Sequence, residues 1–444
     1  MNINQFYSYL GSSIIEADTI YSYGELANQI LQYKDELKIK IVSGDVVAIL
    51  SDYSFQSISM LLALSEFPCI IVPIVNTTNS EVQNKLKAGK VTKIITFQDN
   101  EFVINNVESE GFEKVDKYKI ITSKKQSGLV LFSSGTTGVP KVMVHNFSEL
   151  IAKFNAPKKQ KRLHFILFLL FDHIGGINTL LNCLNNGSPI IIPSNRNPEY
   201  ILQLIEYRKV QVLPTSPTFL NLILMTEDLD KYDLSSLKMI TYGTERMPQH
   251  ILDKLKIKIP SVKFLQTFGT SETGILKTES KSSTSLFFRI IDPNYQYKIE
   301  NDQLYLKSKN VVSGYINQES NQFTKEGWFA TGDLVETDQE GYLKIVGRIN
   351  KVINVGGQKL LPKEVEDLIN QIPEVIDSTV FARDNSITGQ MVCAKVVIKE
   401  NVDEKEMKLI ILKKCKEELE KYKVPSKLII THSIDITNRF KKEI

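Results

Sequence analysis

Short, wholly apolar runs alternate along the chain with longer stretches in which apolar residues recur every three or four positions. VVAIL (46–50) follows Gly44-Asp45, a helical pattern runs near 54–66, and CIIVPIV (69–75) is the next apolar run. Apolar runs of this length without polar alternation mark strands buried on both faces, so the order predicts strand–helix–strand units in a parallel sheet. The rhythm returns at 163–171, 189–193, 210–214, 238–242 and 262–268, which predicts a core built from several such units. From about 286 to 347 the pattern shortens. Strands are predicted at 303–307 and 342–346, punctuated by Gly314, Gly327, Gly332 and Gly341. After Gly347-Arg348-Ile349-Asn350 the chain reads as a small α/β unit. Its last helix spans 403–422, with Met407, Ile411, Cys415 and Leu419 on one core-facing stripe and Pro425 beyond the end. The expected architecture is therefore α/β and multidomain. A large N-terminal domain (1–348) of parallel α/β sheets carries a small β-rich subdomain, and a small α/β domain follows (349–444).

Composition narrows the class without naming a chemistry. At 444 residues, 42% hydrophobic and 24% charged, the chain is long enough for two or three domains and too apolar for wholesale disorder. The net charge is only +3, with 17 basic against 15 acidic residues in 351–444, so neither part has the basic excess of a nucleic-acid binder. Lys158, Lys159, Lys161 and Arg162 read as a solvated loop, with a phosphate or CoA contact as the alternative. Cys69, Cys183, Cys393 and Cys415 lack metal-type spacing and read as reduced core residues. No apolar stretch is long enough to span a bilayer and the first residues lack a basic, apolar leader, so a cytoplasmic protein without a membrane span is expected.

The chemistry is concentrated in LVLFSSGTTGVPKVMVH (129–145), where an apolar strand runs straight into Ser, Thr, Gly and Lys. Gly135 and Gly138 let backbone N–H groups turn toward a polyphosphate, Ser133, Ser134, Thr136 and Thr137 add hydroxyls, and Lys141 adds a point charge. A nucleotide is the expected ligand. The commoner loop GxxxxGK[ST], counted from Gly135, needs Gly at 140 and Ser or Thr at 142; the chain has Pro140 and Val142, which disfavours a Walker-type kinase or ATPase.

This loop resembles the signature of the adenylate-forming superfamily: acyl-CoA synthetases, firefly luciferase and the adenylation domains of non-ribosomal peptide synthetases. Further landmarks follow in the superfamily's order: IYSYGELANQI (20–30), GDVVAIL (44–50), FDHIGGI (171–177), YGTERMP (242–248), FGTSETG (268–274), FATGDLV (329–335), GRINKVINVGGQKLLPKEVE (347–366) and YKVP (422–425). The resemblance implies that ATP is bound by the 133–138 loop, by Gly243, Thr244 and Glu245 on the adenine side, and by Phe268, Gly269, Thr270 and Ser271. It also implies that Asp333 accepts from the ribose hydroxyls, with Arg348 as a planar donor fork beside it. Glu272, with Thr136, would hold Mg²⁺ on the ATP phosphates, which suits an ion that takes one or two carboxylates together with phosphate oxygens. Lys441 is the candidate catalytic lysine, with Lys442 as the register alternative, and Gly356-Gly357 form the loop that faces the thiol after a domain swing about Asn350.

Three readings follow. The first is an ATP-dependent acid:thiol ligase that makes an acyl adenylate of a small carboxylic acid and passes the acyl group to CoA, or to the phosphopantetheine of an acyl carrier protein. His173 then borders the acyl pocket, whose walls are expected at 172–177, 215–219 and 242–244. The second is a standalone amino-acid adenylation domain, since Phe171-Asp172 echoes the Asp that grips an ammonium group there; Gly175-Gly176 and the GGQKLLPKEVE loop favour the acyl-CoA synthetase style. The third is a nucleotide-binding protein that has lost ligation, motivated by three departures: Thr244 where a second Gly is usual, Asn350 at the hinge, and Phe440 for the Gly before the terminal Lys.

Overall fold

The computed structural model describes residues 1–75, 78–99, 101–107, 115–133, 140–154, 161–226, 229–308, 312 and 314–433. Ser134, Gly135, Thr136, Thr137, Gly138 and Lys441 lie outside these, as do Phe440 and Lys442.

Two sheets form the larger domain. In the six-stranded sheet, Lys93–Gln98, Val46–Leu50, Ile70–Ile74 and Gly128–Ser133 lie parallel, flanked by the antiparallel edge strands Glu101–Asn106 and Lys141–Asn146. The central runs are apolar because both faces are covered: all five residues of Ile70–Ile74 are buried. The seven-stranded sheet is parallel through Lys263–Gln266, Met239–Tyr242, Val212–Thr215, Phe165–Ile166, Ile190–Ile192 and Ser13–Glu16, and ends on the antiparallel strand Thr19–Ser22. Ser54 caps the helix Phe55–Leu64 through a reciprocal bond pair with Ser57, and the helix shares one core cluster with residues of both sheets. A six-stranded antiparallel sheet, including Phe329–Thr337 and Leu343–Arg348, forms the β-rich part.

The smaller C-terminal domain pairs Val375–Asn385 with Gly389–Ile398 along ten register positions and adds Lys427–Thr431 in parallel and the short hairpin Ile353–Val355/Gln358–Leu360. Helix Glu404–Glu418 buries Met407, Ile411 and Cys415 against it, the predicted stripe, and stops at Leu419, whose backbone is extended.

One expected strand is mostly absent. Of 163–171, only Phe165–Ile166 is strand. Side chains then take over the backbone bonding. The Phe168 carbonyl accepts from Arg196 Nε, and Phe171 N–H donates to Asp52 Oδ1 at 3.3 Å, while Arg196 and Asp52 pair at 2.7 Å. Among the described residues no helix is long and apolar enough to cross a membrane.

Candidate active site

The parallel strands end in register at Thr215, Tyr242 and Gln266, so the loops that leave them start side by side. Ligands of open α/β sheets bind beyond such strand ends. Gly243 follows Tyr242 directly. A Cβ there would lie 2.6 Å from Thr267 Oγ1 and 2.9 Å from the Thr267 carbonyl, so the two loops touch only because residue 243 is glycine. Thr244, which is exposed, holds φ at +70°, a left-handed conformation that a β-branched residue adopts only under strain. Glu245 accepts from Thr218 Oγ1 at 2.6 Å.

Ser133 and Lys141 are register partners across an antiparallel hairpin and therefore bracket the Ser/Thr/Gly loop. Lys141 Nζ sits 4.9 Å above the Tyr315 ring, and the Tyr315 hydroxyl donates to Glu272 Oε1 at 2.8 Å. Burial and the Glu272 charge push the Tyr315 phenol up, which keeps it a donor. Glu272 is itself buried, at 9% exposure, so the polar turn of FGTSETG carries its carboxylate inward.

That turn links strands Phe268–Thr270 and Gly274–Leu276, and it is tied down on both sides. Thr273 Oγ1 accepts from Thr270 N–H at 3.0 Å, and Thr270 Oγ1 accepts from Glu272 N–H at 3.2 Å. Gly269 faces the Gly274 carbonyl so closely that no side chain fits. From below, His145 Nε2–H donates to the Ser271 carbonyl at 2.7 Å. Burial pushes the His145 imidazole down to about 4, so it is a neutral donor that joins the strand Lys141–Asn146 to the turn that carries Glu272.

Asp333 and Arg348 are cross-strand partners, and Arg348 Nε donates to Asp333 Oδ1 at 2.8 Å. Asp333 is buried while the Arg348 side chain is 53% exposed. Burial pushes the Asp333 carboxyl up, Arg348 opposes the shift, and the Glu272 charge adds to it. Asp333 thus lies within electrostatic reach of Glu272, and Tyr315 within reach of Arg348.

His173 caps helix Ile174–Asn186: its Nδ1 accepts from Gly175 N–H at 3.1 Å. A Cβ on Gly176 would strike the Leu170 carbonyl and lie 2.7 Å from the Tyr53 hydroxyl, so the Gly-Gly pair has a packing reason of its own. Asp172 is buried against Lys85 at 3.2 Å, and Lys85 also meets Glu81 at 3.0 Å. Gly356 and Gly357 occupy a two-residue hairpin turn at φ +59° and +89°, exposed on the C-terminal domain. Asn350 lies in a short 3-10 turn over Ile349–Lys351.

Tyr315, His145 and Lys85 were not singled out by sequence. His145 ends the stretch LVLFSSGTTGVPKVMVH, the one signal that could have drawn attention to it. Among the described residues no cluster of three or more His, Cys, Asp or Glu could hold a metal. One buried carboxylate beside hydroxyls does fit Mg²⁺ carried mainly by phosphate oxygens.

The family model described as "AMP-binding enzyme" matches residues 9–316, and "AMP-binding enzyme C-terminal domain" matches 364–441. The chain belongs to the AMP-binding enzyme family. Within it, the chain is similar to 2-succinylbenzoate–CoA ligase of Bacillus cytotoxicus, 25% identical over 429 residues that span 89% of this chain and 86% of that protein. It is also 23% identical to 4-coumarate–CoA ligase-like 9 of Arabidopsis thaliana over 438 residues, 88% of this chain and 78% of the relative. The fold matches the anthranilate CoA ligase AuaEII in complex with anthranoyl-AMP at a TM-score of 0.80 and 19% identity, covering 99% of this chain and 95% of that one.

Proposed function

We propose that this AMP-binding enzyme is an ATP-dependent acid:CoA ligase acting on a small carboxylic acid. The observation that carries the reading is the convergence of Lys141, Tyr315 and buried Glu272 at the mouth of the phosphate hairpin, within reach of the Asp333–Arg348 pair. One carboxylate oxygen of the acid attacks the α-phosphorus of ATP and pyrophosphate leaves. The thiolate of CoA then attacks the acyl carbonyl, forming the C–S bond as AMP departs. Lys141 and the 133–138 loop hold the phosphates, Asp333 accepts from the ribose, Gly243 to Glu245 and Phe268 to Ser271 frame the adenine, and Glu272 with Thr136 binds Mg²⁺. When bound, Mg²⁺ neutralises phosphate charge. Lys441 supplies a cation for the first step, and a swing about Asn350 brings Gly356-Gly357 to the thiol for the second. The domain boundary is placed after Arg348.

Asp172 argues against an amino acid as the substrate. Its carboxylate is already paired with Lys85 of the same chain, which offsets the charge that would draw a substrate ammonium. CoA is favoured over a carrier protein because the matched relatives are named CoA ligases. Four buried, unbridged cysteines suit a reducing cytoplasm.

The test is ATP–pyrophosphate exchange across 2-succinylbenzoate, 4-coumarate, anthranilate, fatty acids and amino acids, followed by CoA-dependent AMP release. Exchange with a non-amino acid and CoA-thioester formation is the expected result. Exchange confined to amino acids would overturn the substrate class, and ATP binding without any exchange would favour a non-ligating protein.

A further inference from the structure

The glycine turn is carried by a hairpin with strands of three residues each, too short to hold its own position. Its support comes from a second hairpin tip, Asn385 to Gln390. Gly356 N–H donates to the Thr388 carbonyl at 2.9 Å, Asn354 N–H donates to Gln390 Oε1 at 2.7 Å, and Val355 pairs with Gly389. The supporting tip is shaped by Asn385, whose Oδ1 accepts from Ile387 N–H at 2.9 Å and Thr388 N–H at 3.1 Å. Thr388 Oγ1 in turn donates to the Gln390 carbonyl at 2.7 Å. Beyond Thr388, the space that a side chain on Gly356 or Gly357 would occupy is open.

We propose that Asn385 and Gln390 are positioning residues for the thiol half-reaction, fixing the tilt of the Gly356-Gly357 turn through the Asn354 and Gly356 amides. The proposal rests on the reading of that turn as the one that faces the thiol. Neither residue touches substrate. Each acts through a main-chain hydrogen bond on a turn whose placement decides whether the thiol arm reaches the acyl carbonyl, a step sensitive to displacements of about 1 Å.

The two half-reactions are measured separately, as ATP–pyrophosphate exchange and as thioester formation from CoA and the pre-made adenylate of the acid with the strongest exchange. Gln390→Met and Asn385→Leu remove the acceptor and keep the bulk; Gln390→Glu and Asn385→Asp keep the acceptor. Thioester formation is expected to fall about three- to tenfold in Gln390→Met, the worth of one hydrogen bond, and at least as far in Asn385→Leu, which loses two; it is expected to recover in the second pair, with exchange and thermal midpoint unchanged. Amide hydrogen exchange over 353–360 is expected to quicken in the first pair alone, a readout that needs no substrate. Gly356→Trp serves as the control. If it abolishes thioester formation while Gln390→Met and Asn385→Leu behave as wild type, the positioning role is wrong and the reading of the turn stands. If Gly356→Trp leaves thioester formation intact, that reading fails and the proposal with it. An equal fall in both half-reactions would also overturn it, because the bonds would then serve the whole domain.

Discussion

Arg348 and Asp333 face each other across an antiparallel strand pair, with Nε donating to Oδ1 at 2.8 Å. The proposed ribose acceptor is therefore already oriented by a residue two positions before the proposed hinge, Asn350. Asp333 pays a burial cost that Arg348 only partly offsets, a cost that a ligand hydroxyl pair would lower further.

Asp333→Asn is expected to weaken ATP binding by roughly 10- to 100-fold, because hydrogen bonds to a charged acceptor are worth about 1.5–3 kcal/mol each. The thermal midpoint should not fall, since Arg348 is half-exposed and finds water instead. Direct ATP titration and a melting curve check both halves; unchanged ATP affinity would remove Asp333 from the ribose site.

Tyr315→Phe removes the hydroxyl that holds Glu272 at 2.8 Å and leaves the ring under Lys141. Pyrophosphate exchange should fall by roughly 10- to 100-fold, the cost of one charge-assisted bond at about 1.5–3 kcal/mol, and recover in part at raised Mg²⁺. Glu272→Ala should abolish Mg²⁺-dependent exchange outright. Near-wild-type exchange in the Glu272 variant would sink the metal assignment.

Buried His145 holds a folded value near 4 against an ordinary value near 6.5. The unfolded chain takes up the proton first as pH falls. Stability is therefore complete above about 6.5 and lost progressively down to about 4, by roughly 3 kcal/mol in all. Urea unfolding between pH 7 and 4 measures this slope, and His145→Gln, which keeps a donor but does not titrate, should flatten it.

Thr244→Gly should stabilise the protein by up to about 1 kcal/mol, the relief of a left-handed β-branched residue less the added chain entropy of glycine. Thr244→Val serves as the control and should give no gain in denaturant midpoint. Equal midpoints for all three proteins would show that the loop absorbs the conformation without strain.

Lys441→Ala should cut adenylation by about 10²- to 10³-fold and spare thioester formation from a pre-made adenylate. One cation about 4 Å from developing charge at an effective dielectric near 20 contributes roughly 4 kcal/mol before screening. Loss in Lys442→Ala instead would shift the assignment by one residue, and loss in neither would favour the non-ligating reading.

The apolar runs, the turn glycines and the order of the landmarks made the α/β fold and the family legible, because propensity, turn chemistry and burial pattern act over a few neighbouring residues. The same signals ended one strand at Ser133 before the Ser/Thr/Gly stretch and marked Thr244 as a departure. They misread 163–171, where the side chains of Arg196 and Asp52, distant in sequence, supply the bonds that a continued strand would have made. They also carried no trace of Tyr315 on Glu272, His145 on Ser271 or Lys85 on Asp172, pairs separated by 43, 126 and 87 residues. Sheet order, strand register and layer packing place those side chains within hydrogen-bond reach. They bury Glu272 and set Lys85 against Asp172, because each depends on what lies opposite in space and not on what comes next in the chain.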